Sequence, residues 1–336
     1  MADLADSTGT DKRRDPQDDK AEARCYNARD ERRPMNEISG IRDLLRELVR
    51  AYSMHVPFQR GKDRLRVTLE PFIRPRTKTI VTEVPYGQSL EVFCGEYVSD
   101  HIYYYGCFET ELVMQLGEAL EPGMVFLDVG AHVGLYSIVA AARVGETGKV
   151  FAFEPSEETF GLLARNAARS KADVIECTRA AVSSEEGFVE LHLGDKSIRA
   201  SSTMGKATYT SNSETVPTVT LDGFLAARGI TAVDAIKMDI EGAERLALLG
   251  AHDLLAGPGA PGLIQIELDE RHTTRFGHST QEVTGLLRDA GYEIYDLIDG
   301  SLRLLDTTRP LLAKDGVALK RGTRIAENVV RRTPIR

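Results

Sequence analysis

Short apolar runs alternate with segments of helical periodicity through the middle of this 336-residue chain. Runs such as Val125–Leu127, Lys149–Phe153 and Ala235–Met238 have the length and composition of buried parallel strands, and a helix-like segment follows each one. Regular alternation of this kind predicts an α/β fold in which helices cover both faces of a mostly parallel sheet. Such sheets bind ligands outside the carboxyl ends of their strands. The residues that follow these runs are therefore the first candidates for a functional site.

The chain before this alternation divides into two parts. Residues 1–35 are dense in charges of both signs and poor in large apolar side chains, which predicts a disordered tail. Residues 36–105 are predicted to form a helical and β extension, whose helix begins at Asn36. Three stretches of the extension predict strands: Arg64–Leu69, Lys78–Val84 and Leu90–Phe93. The apolar face of the helix at 36–50 fits packing on the main domain, a homodimer contact or a lid.

The end of the chain carries a hairpin signal and then a basic run. Asp299-Gly300 separates the stretches Tyr292–Ile298 and Ser301–Leu305, and this dipeptide favours a two-residue hairpin turn. The remaining residues, 307–336, are rich in lysine and arginine, which predicts a solvated basic tail.

Composition limits the function classes. The net charge of −9 and the pI near 5.4 argue against nucleic acid as the main partner, because phosphate binding calls for a basic face. The chain contains no run of about 18 apolar residues, so no membrane span is predicted. The charged N-terminus shows no secretory signal, and the four cysteines form no CxxC pair. These features predict a cytoplasmic protein.

The stretch Val125–Gly134, VFLDVGAHVG, has the form of a strand followed by a glycine-containing turn. A phosphate-binding P-loop needs a lysine after its last glycine, which Leu135 excludes. The dinucleotide fingerprint needs glycine where His132 stands, which disfavours an NAD-type site. Glu154 lies about 20 residues further on, where a carboxylate can accept hydrogen bonds from both ribose hydroxyls. The pattern favours an adenosyl ligand without phosphate, such as S-adenosylmethionine.

Six segments, in this order, resemble the FkbM family of S-adenosylmethionine-dependent methyltransferases: FLDVGAHVGLYS, VFAFEPS, RAAVSSEEGFVELHL, TVTLDGF, IKMDIEGAE and IQIEL. The resemblance covers roughly residues 106–306, and IKMDIEGAE is its most specific part. It implies the class I methyltransferase fold, a Rossmann-like, seven-stranded, mostly parallel sheet with a C-terminal antiparallel hairpin. The hairpin signal at Asp299-Gly300 agrees with this expectation independently.

The resemblance also implies which residues surround the cofactor. The glycine turn would bind it, Glu154 would hold the ribose, and the segment after the third strand would border the adenine. His132 departs from the family, which usually shows asparagine near this position. The predicted cofactor residues are Glu109, Asp128, Gly130, Ala131, His132, Gly134, Glu154, Pro155, Ala180, Ala181 and Asp239.

Methyl transfer to a hydroxyl group needs a base that removes the acceptor proton. Asp239, Glu241 and His272 are the predicted catalytic residues, with Glu267 as a further candidate base. Asp239 is favoured for acceptor contact because it ends a buried strand, while capping of the following helix is the structural alternative. Lys237, within that strand, could pair with a nearby acid or reach ligand. The sequence shows no obvious cluster of metal-ligating residues, so no metal is predicted.

The resulting hypothesis is an O-methyltransferase that acts on a hydroxyl of a sugar or secondary metabolite, supplied as a small molecule or a glycan. The substrate class depends on family analogy alone. Two other classes stay open: an NAD-type oxidoreductase and a non-catalytic adenosyl-binding partner protein.

Overall fold

The computed structural model describes residues 40–56, 62–170, 173–194, 203–205 and 212–336. The predicted disordered tail, residues 1–35, lies outside these ranges, and so does the predicted helix start at Asn36. None of the helices within these ranges has the length and apolar character needed to cross a membrane.

A large, mostly parallel sheet forms the centre of the described chain. The strands are β1 (Thr79–Val84), β2 (Gln88–Phe93), β3 (Val125–Val129), β4 (Lys149–Phe153), β5 (Ile175–Thr178), β6 (Ala181–Val182), β7 (Gly187–His192), β8 (Ser213–Val219), β9 (Ala235–Met238), β10 (Leu263–Leu268), β11 (Glu293–Ile298), β12 (Ser301–Leu304) and β13 (Lys314–Leu319). Eight of them form the central sheet in the order β12-β11-β13-β10-β9-β3-β4-β5. The α/β class is confirmed, and the sheet has eight strands where seven were predicted.

Helices lie along the chain between most of these strands. They are α1 (Ile41–His55), α2 (Lys62–Ile73), α3 (Tyr97–Tyr105), α4 (Thr110–Ala119), α5 (Leu135–Val144), α6 (Glu157–Arg169), α7 (Leu221–Ala226), α8 (Glu244–Leu249), α9 (His252–Ala256), α10 (Glu270–Thr273), α11 (Thr280–Asp289) and α12 (Arg324–Arg332). The predicted cap of α11 is confirmed, because Ser279 and Glu282 form a capping box there.

Alternate side chains of the central strands enter two separate hydrophobic layers. Phe126 and Leu263 pack with α3, α4, α5 and α12, whereas Leu127 and Ile264 pack with α7, α8, α9 and α11. Successive side chains of a strand point to opposite faces of the sheet. Strand positions two residues apart therefore share a face, and this rule places several acids on the face that carries α4 and α5.

The prediction of a solvated C-terminal tail is wrong. β13 lies inside the sheet, antiparallel to both β10 and β11. α12 packs its apolar face on the core, and Asn328 donates hydrogen bonds from Nδ2 to the Ala119 carbonyl and to Glu121. The basic residues misled the prediction, since most of them occupy exposed positions of an element whose other face is buried.

The predicted hairpin at Asp299-Gly300 is confirmed, with both residues in the left-handed region at φ 49° and 66°. Its second strand, β12, lies at the edge of the sheet. Two strands of this sheet therefore run opposite to the parallel ones: β13, inside the sheet, and β12, at its edge.

The N-terminal extension contains one more correction. Arg64–Leu69 was predicted as a strand, but these residues belong to α2. Arg66 and Ile73 are buried and Leu69 is half-buried, so the inward positions recur at helical rather than strand spacing. The apparent alternation arose from Val67, which is exposed.

α1 contacts the rest of the extension through the side that carries Arg50. The Arg50 guanidinium donates hydrogen bonds to the Tyr103 carbonyl and to Thr82 Oγ1. The opposite side carries Ile41, Leu44 and Leu48, all exposed. The homodimer contact predicted for this helix stays a prediction.

Asn166 connects the extension to the central domain. Its fully buried side chain accepts a hydrogen bond from the Glu91 N–H at 2.8 Å and donates to the carbonyls of Glu91 and Val133, each at 2.8 Å. Glu91 lies in β2, and Val133 lies in the glycine turn. One amide side chain therefore ties the β1–β2 hairpin to the turn that begins the candidate site.

We expect Asn166→Leu to lower the free energy of unfolding by about 3 kcal/mol, because several buried backbone groups would lose their partner. Urea unfolding followed by circular dichroism measures this change. Asn212→Leu, at an exposed position, is the matched control and should change stability by less than about 0.5 kcal/mol. Equal effects of the two substitutions would contradict the connecting role of Asn166.

Candidate active site

A cavity with about 970 Å³ of empty space, including space open to solvent, lies at the carboxyl ends of β3, β4 and β9. Most of the predicted cofactor residues line it: Glu109, Gly130, Ala131, His132, Glu154, Pro155, Ala180, Ala181 and Asp239. Of the predicted catalytic residues, Glu241 also lines the cavity. The other predicted residues, Asp128, Gly134 and His272, are not among the residues that line it.

The glycine turn after β3 holds three strand ends together. Gly130 adopts φ 82°, and its N–H and that of Ala131 both donate to the Phe153 carbonyl of β4. A Cβ on Gly130 would lie 1.9 Å from the Asp239 carbonyl oxygen, so a larger residue cannot be accommodated without displacing the backbone. Gly134 adopts φ 94° at the start of α5. The turn therefore favours glycine at both positions for conformation, and at Gly130 for packing as well.

Asp128 lies beneath this turn and is fully buried. Ser137 Oγ donates to Asp128 Oδ2 at 2.5 Å, while Oδ1 has no hydrogen-bond partner among the described residues. Burial raises the pKa of the Asp128 carboxyl. Within the described contacts, Asp128 fixes the start of α5 and does not reach the cavity.

Glu154 forms a buried acidic wall of the cavity at the end of β4. Its Oε2 accepts the His132 N–H and its Oε1 accepts the Ser156 N–H, each at 3.0 Å. Burial raises the pKa of Glu154 to about 7, although the two N–H donors oppose this. Each carboxylate oxygen can accept a further hydrogen bond. The carboxylate is thus held in one orientation and can still accept bonds from a diol.

The cavity's charges suit a ligand without phosphate. Among the described lining residues there is no arginine, and the lining lysine, Lys237, is bound to Asp239 Oδ2 at 3.0 Å. Lys237 Nζ also lies 4.9 Å from the centre of the Tyr136 ring. Tyr136 in turn donates its hydroxyl to Glu109 Oε2 at 2.8 Å. Although burial opposes the charge of Lys237, Asp239 and Glu109 raise its pKa.

A second polar cluster adjoins Asp239. His272 Nδ1 lies 3.3 Å from Glu241 Oε2 and 3.3 Å from Glu267 Oε2. The hydrogen bond to Glu267, with a contribution from Glu241, raises the pKa of His272 to about 9. Burial, together with Asp239 and Glu267, raises the pKa of Glu241 to about 8. The imidazole thus lies between two carboxyl groups, and that of Glu241 lines the cavity.

The alternative role of Asp239 as a helix cap does not match its contacts. The N-cap position of α8 is Ala243, with no side-chain cap hydrogen bond, and Asp239 binds Lys237 instead. The next acids along the chain, Glu241 and Glu244, contact His272 and the loop backbone respectively. The three acids of the IKMDIEGAE stretch therefore have three different surroundings.

Glu267, Asp269 and His272 are close enough to be considered as metal ligands, with candidate atoms within 4.8 Å of one another. Asp269, however, accepts from the Arg271 guanidinium with both oxygens and from the Arg271 N–H. These contacts account for the position of Asp269 without an ion. The expectation of no metal stays a prediction.

Residues 128–294 match the family model described as "Methyltransferase FkbM domain". The chain carries an FkbM methyltransferase domain. S-adenosyl-L-methionine is the cofactor of this family, in agreement with the expectation from the sequence. The matched residues are about half of the chain, and they include the glycine turn, Glu154 and the acids Asp239, Glu241 and Glu267.

Two curated relatives are similar to this chain. The hexuronic acid methyltransferase AglP of Haloferax volcanii is 27% identical over 185 residues, which are 54% of this chain and 69% of the relative. The 31-O-demethyl-FK506 methyltransferase FkbM of Streptomyces tacrolimicus is 30% identical over 177 residues, which are 44% of this chain and 66% of the relative.

Solved structures are more distant. A SAM-dependent methyltransferase from Aquifex aeolicus is 17% identical with a TM-score of 0.36, over 63% of this chain and 89% of that one. A SAM-dependent O-methyltransferase from Thermotoga maritima is 16% identical with a TM-score of 0.36, over 72% of this chain and 77% of that one.

Part of the cavity wall lies outside the matched FkbM domain. Val98, Ile102 and Phe108 line the cavity and precede residue 128, as does Glu109. Val98 and Ile102 are four residues apart on α3, which puts both on one helix face. These residues were not predicted from the sequence, because no helix was predicted over Tyr97–Tyr105. The periodic apolar positions from Val98 onward were the available signal.

Proposed function

We propose that this protein is an S-adenosylmethionine-dependent O-methyltransferase whose acceptor is a hydroxyl group of a sugar or another secondary metabolite. The observation that carries the proposal is one cavity that joins Glu154 and the glycine turn to the acids Asp239 and Glu241. The two curated relatives support it, since their names describe methylation of a hexuronic acid and of an oxygen of FK506.

The cofactor end of the cavity would use residues with distinct tasks. Glu154 would accept hydrogen bonds from the ribose diol, while the glycine turn would leave room for the ligand at the strand ends. Ala180 and Ala181, which are buried, would border the adenine with a small apolar surface. S-adenosylmethionine, when bound, supplies an electrophilic methyl group on a sulfonium.

The acidic end would receive the acceptor. Asp239, held by Lys237, would orient the acceptor hydroxyl, and Glu241 would remove its proton. A carboxylate with a raised pKa is a stronger base than an ordinary one, which suits Glu241 for this task. His272 would hold the Glu241 carboxylate in place through their ion pair.

We expect Glu154→Ala to weaken S-adenosylmethionine binding about 30-fold, the equivalent of about 2 kcal/mol, because the ribose would lose a charged acceptor. Calorimetry at pH 8, above the pKa of this carboxyl, measures the dissociation constant. Glu157→Ala removes a nearby carboxylate with an exposed side chain and should leave the affinity unchanged. An unaltered constant in Glu154→Ala would remove this residue from the ribose site.

The acceptor atom can be identified by incubating the protein with methyl-labelled S-adenosylmethionine and a panel of methyl glycosides, methyl glycosiduronates and hydroxylated macrolides. We expect labelled O–CH₃ groups, detected by nuclear magnetic resonance, together with S-adenosylhomocysteine. A matched panel in which amino groups replace hydroxyls is the comparison. Transfer to nitrogen alone, or to carboxylate oxygen alone, would refute the proposed acceptor group.

We expect kcat to rise with pH and to level off above about pH 8, because Glu241 must be deprotonated to act as the base and its pKa is raised to about 8. Glu241→Gln should lower kcat about 100-fold or more and abolish this limb of the profile. Glu185→Gln, at an exposed position, should retain both. A Glu241→Gln enzyme that kept the limb would exclude Glu241 as the base.

A further inference from the structure

Glu244 is a buried carboxyl group for which the proposed reaction has no direct use. It is the first residue of α8, and only 1% of it is exposed. Its side chain turns back along the chain, so that Oε1 accepts the N–H of Ile240 at 3.1 Å and the N–H of Gly242 at 3.2 Å. One oxygen thus binds the loop on both sides of Glu241.

The loop that Glu244 binds has an unfavourable backbone conformation. Glu241 adopts φ 57°, in the left-handed region, and Gly242 adopts φ 105°. A non-glycine residue is strained in that region, so neighbouring contacts must hold it there. A Cβ on Gly242 would lie 2.4 Å from the His272 carbonyl oxygen, which shows how closely the loop approaches α10. The two hydrogen bonds of Glu244 are contacts that hold this conformation.

The same conformation places the side chain that the reaction needs. Glu241 reaches the cavity and also comes within 3.3 Å of His272 Nδ1. If the loop relaxed to ordinary backbone angles, the direction of the Glu241 side chain would change. Asp239, at the start of the loop, keeps its own ion pair to Lys237. Release of Glu244 should therefore disturb Glu241 more than the cofactor end of the cavity.

We propose that Glu244 is a positioning residue of the methyl-transfer site, which acts by holding the Ile240–Gly242 loop so that Glu241 faces both the acceptor and His272. The inference rests on the proposed function for its effect on turnover. Its structural part, the clamping of the loop, stands on the hydrogen bonds alone.

The test compares Glu244→Ala with Glu244→Gln, because glutamine keeps an acceptor oxygen without the charge. We expect Glu244→Ala to lower kcat about 100-fold, as a displaced catalytic group does, while the S-adenosylmethionine dissociation constant changes less than about threefold. Glu244→Gln should restore kcat to within about fivefold of the wild type, because it can still accept both N–H groups. Asp222→Ala, which also removes a carboxylate that accepts two backbone N–H groups, is the remote control and should keep kcat.

A second readout separates this inference from the proposed reaction. Hydrogen–deuterium exchange of the peptide that contains residues 239–246 should become faster in Glu244→Ala and stay slow in Glu244→Gln. If the wild type transfers no methyl group, the proposed function fails, and the exchange result alone decides whether Glu244 clamps the loop. Unchanged exchange and kcat in Glu244→Ala would overturn the inference. Equal loss of kcat in both variants would overturn it as well, because the charge rather than the clamp would then be needed.

Discussion

The contact between Gly130 and the carbonyl of Asp239 is the constraint on which the site depends. The backbone of the β3 turn and the end of β9 approach so closely that a Cβ would lie 1.9 Å from this oxygen. β4 also holds this turn in place, because two N–H groups of the turn donate hydrogen bonds to the Phe153 carbonyl. Three strand ends therefore meet without side chains between them. This arrangement brings Glu154 and Asp239 to the walls of one cavity, although they are far apart along the chain.

The alternation of strand side chains explains why the acids gather on one side. Lys237 and Asp128 are register partners, and Glu267 and Asp315 are register partners on the next pair of strands. All four positions are on the sheet face that carries α4 and α5. Burial raises the pKa values of the fully buried Asp128 and the half-buried Glu267, and Lys237 opposes this rise at both, while Asp315 is exposed. A buried acid without a full set of partners disfavours folding, so this group of acids is a candidate for a functional site.

The sequence predicted the features that depend on local patterns. The apolar runs of β3, β4 and β9, the glycine turn and the acids at the strand ends could all be found from neighbouring residues. Arg64–Leu69 was assigned wrongly because six residues that alternate fit a helix as well as a strand. β13 was missed because Lys314, Asp315 and Gly316 interrupt its apolar pattern, and its partners on both sides come from much earlier in the chain.

The role of Glu244 could not have been found from spacing, for a reason that applies to positioning residues generally. In the sequence it is one more acid at the beginning of a helix, where a favourable interaction with the helix end is the ordinary expectation. Its two hydrogen bonds go to the loop in which Glu241 and Gly242 take left-handed conformations, close to α10. A residue that acts through the backbone of a loop can be recognised only when the conformations of its own side chain and of that loop are both known. The neighbouring Glu241, by contrast, could be predicted because it lies in the IKMDIEGAE stretch that carries the family resemblance.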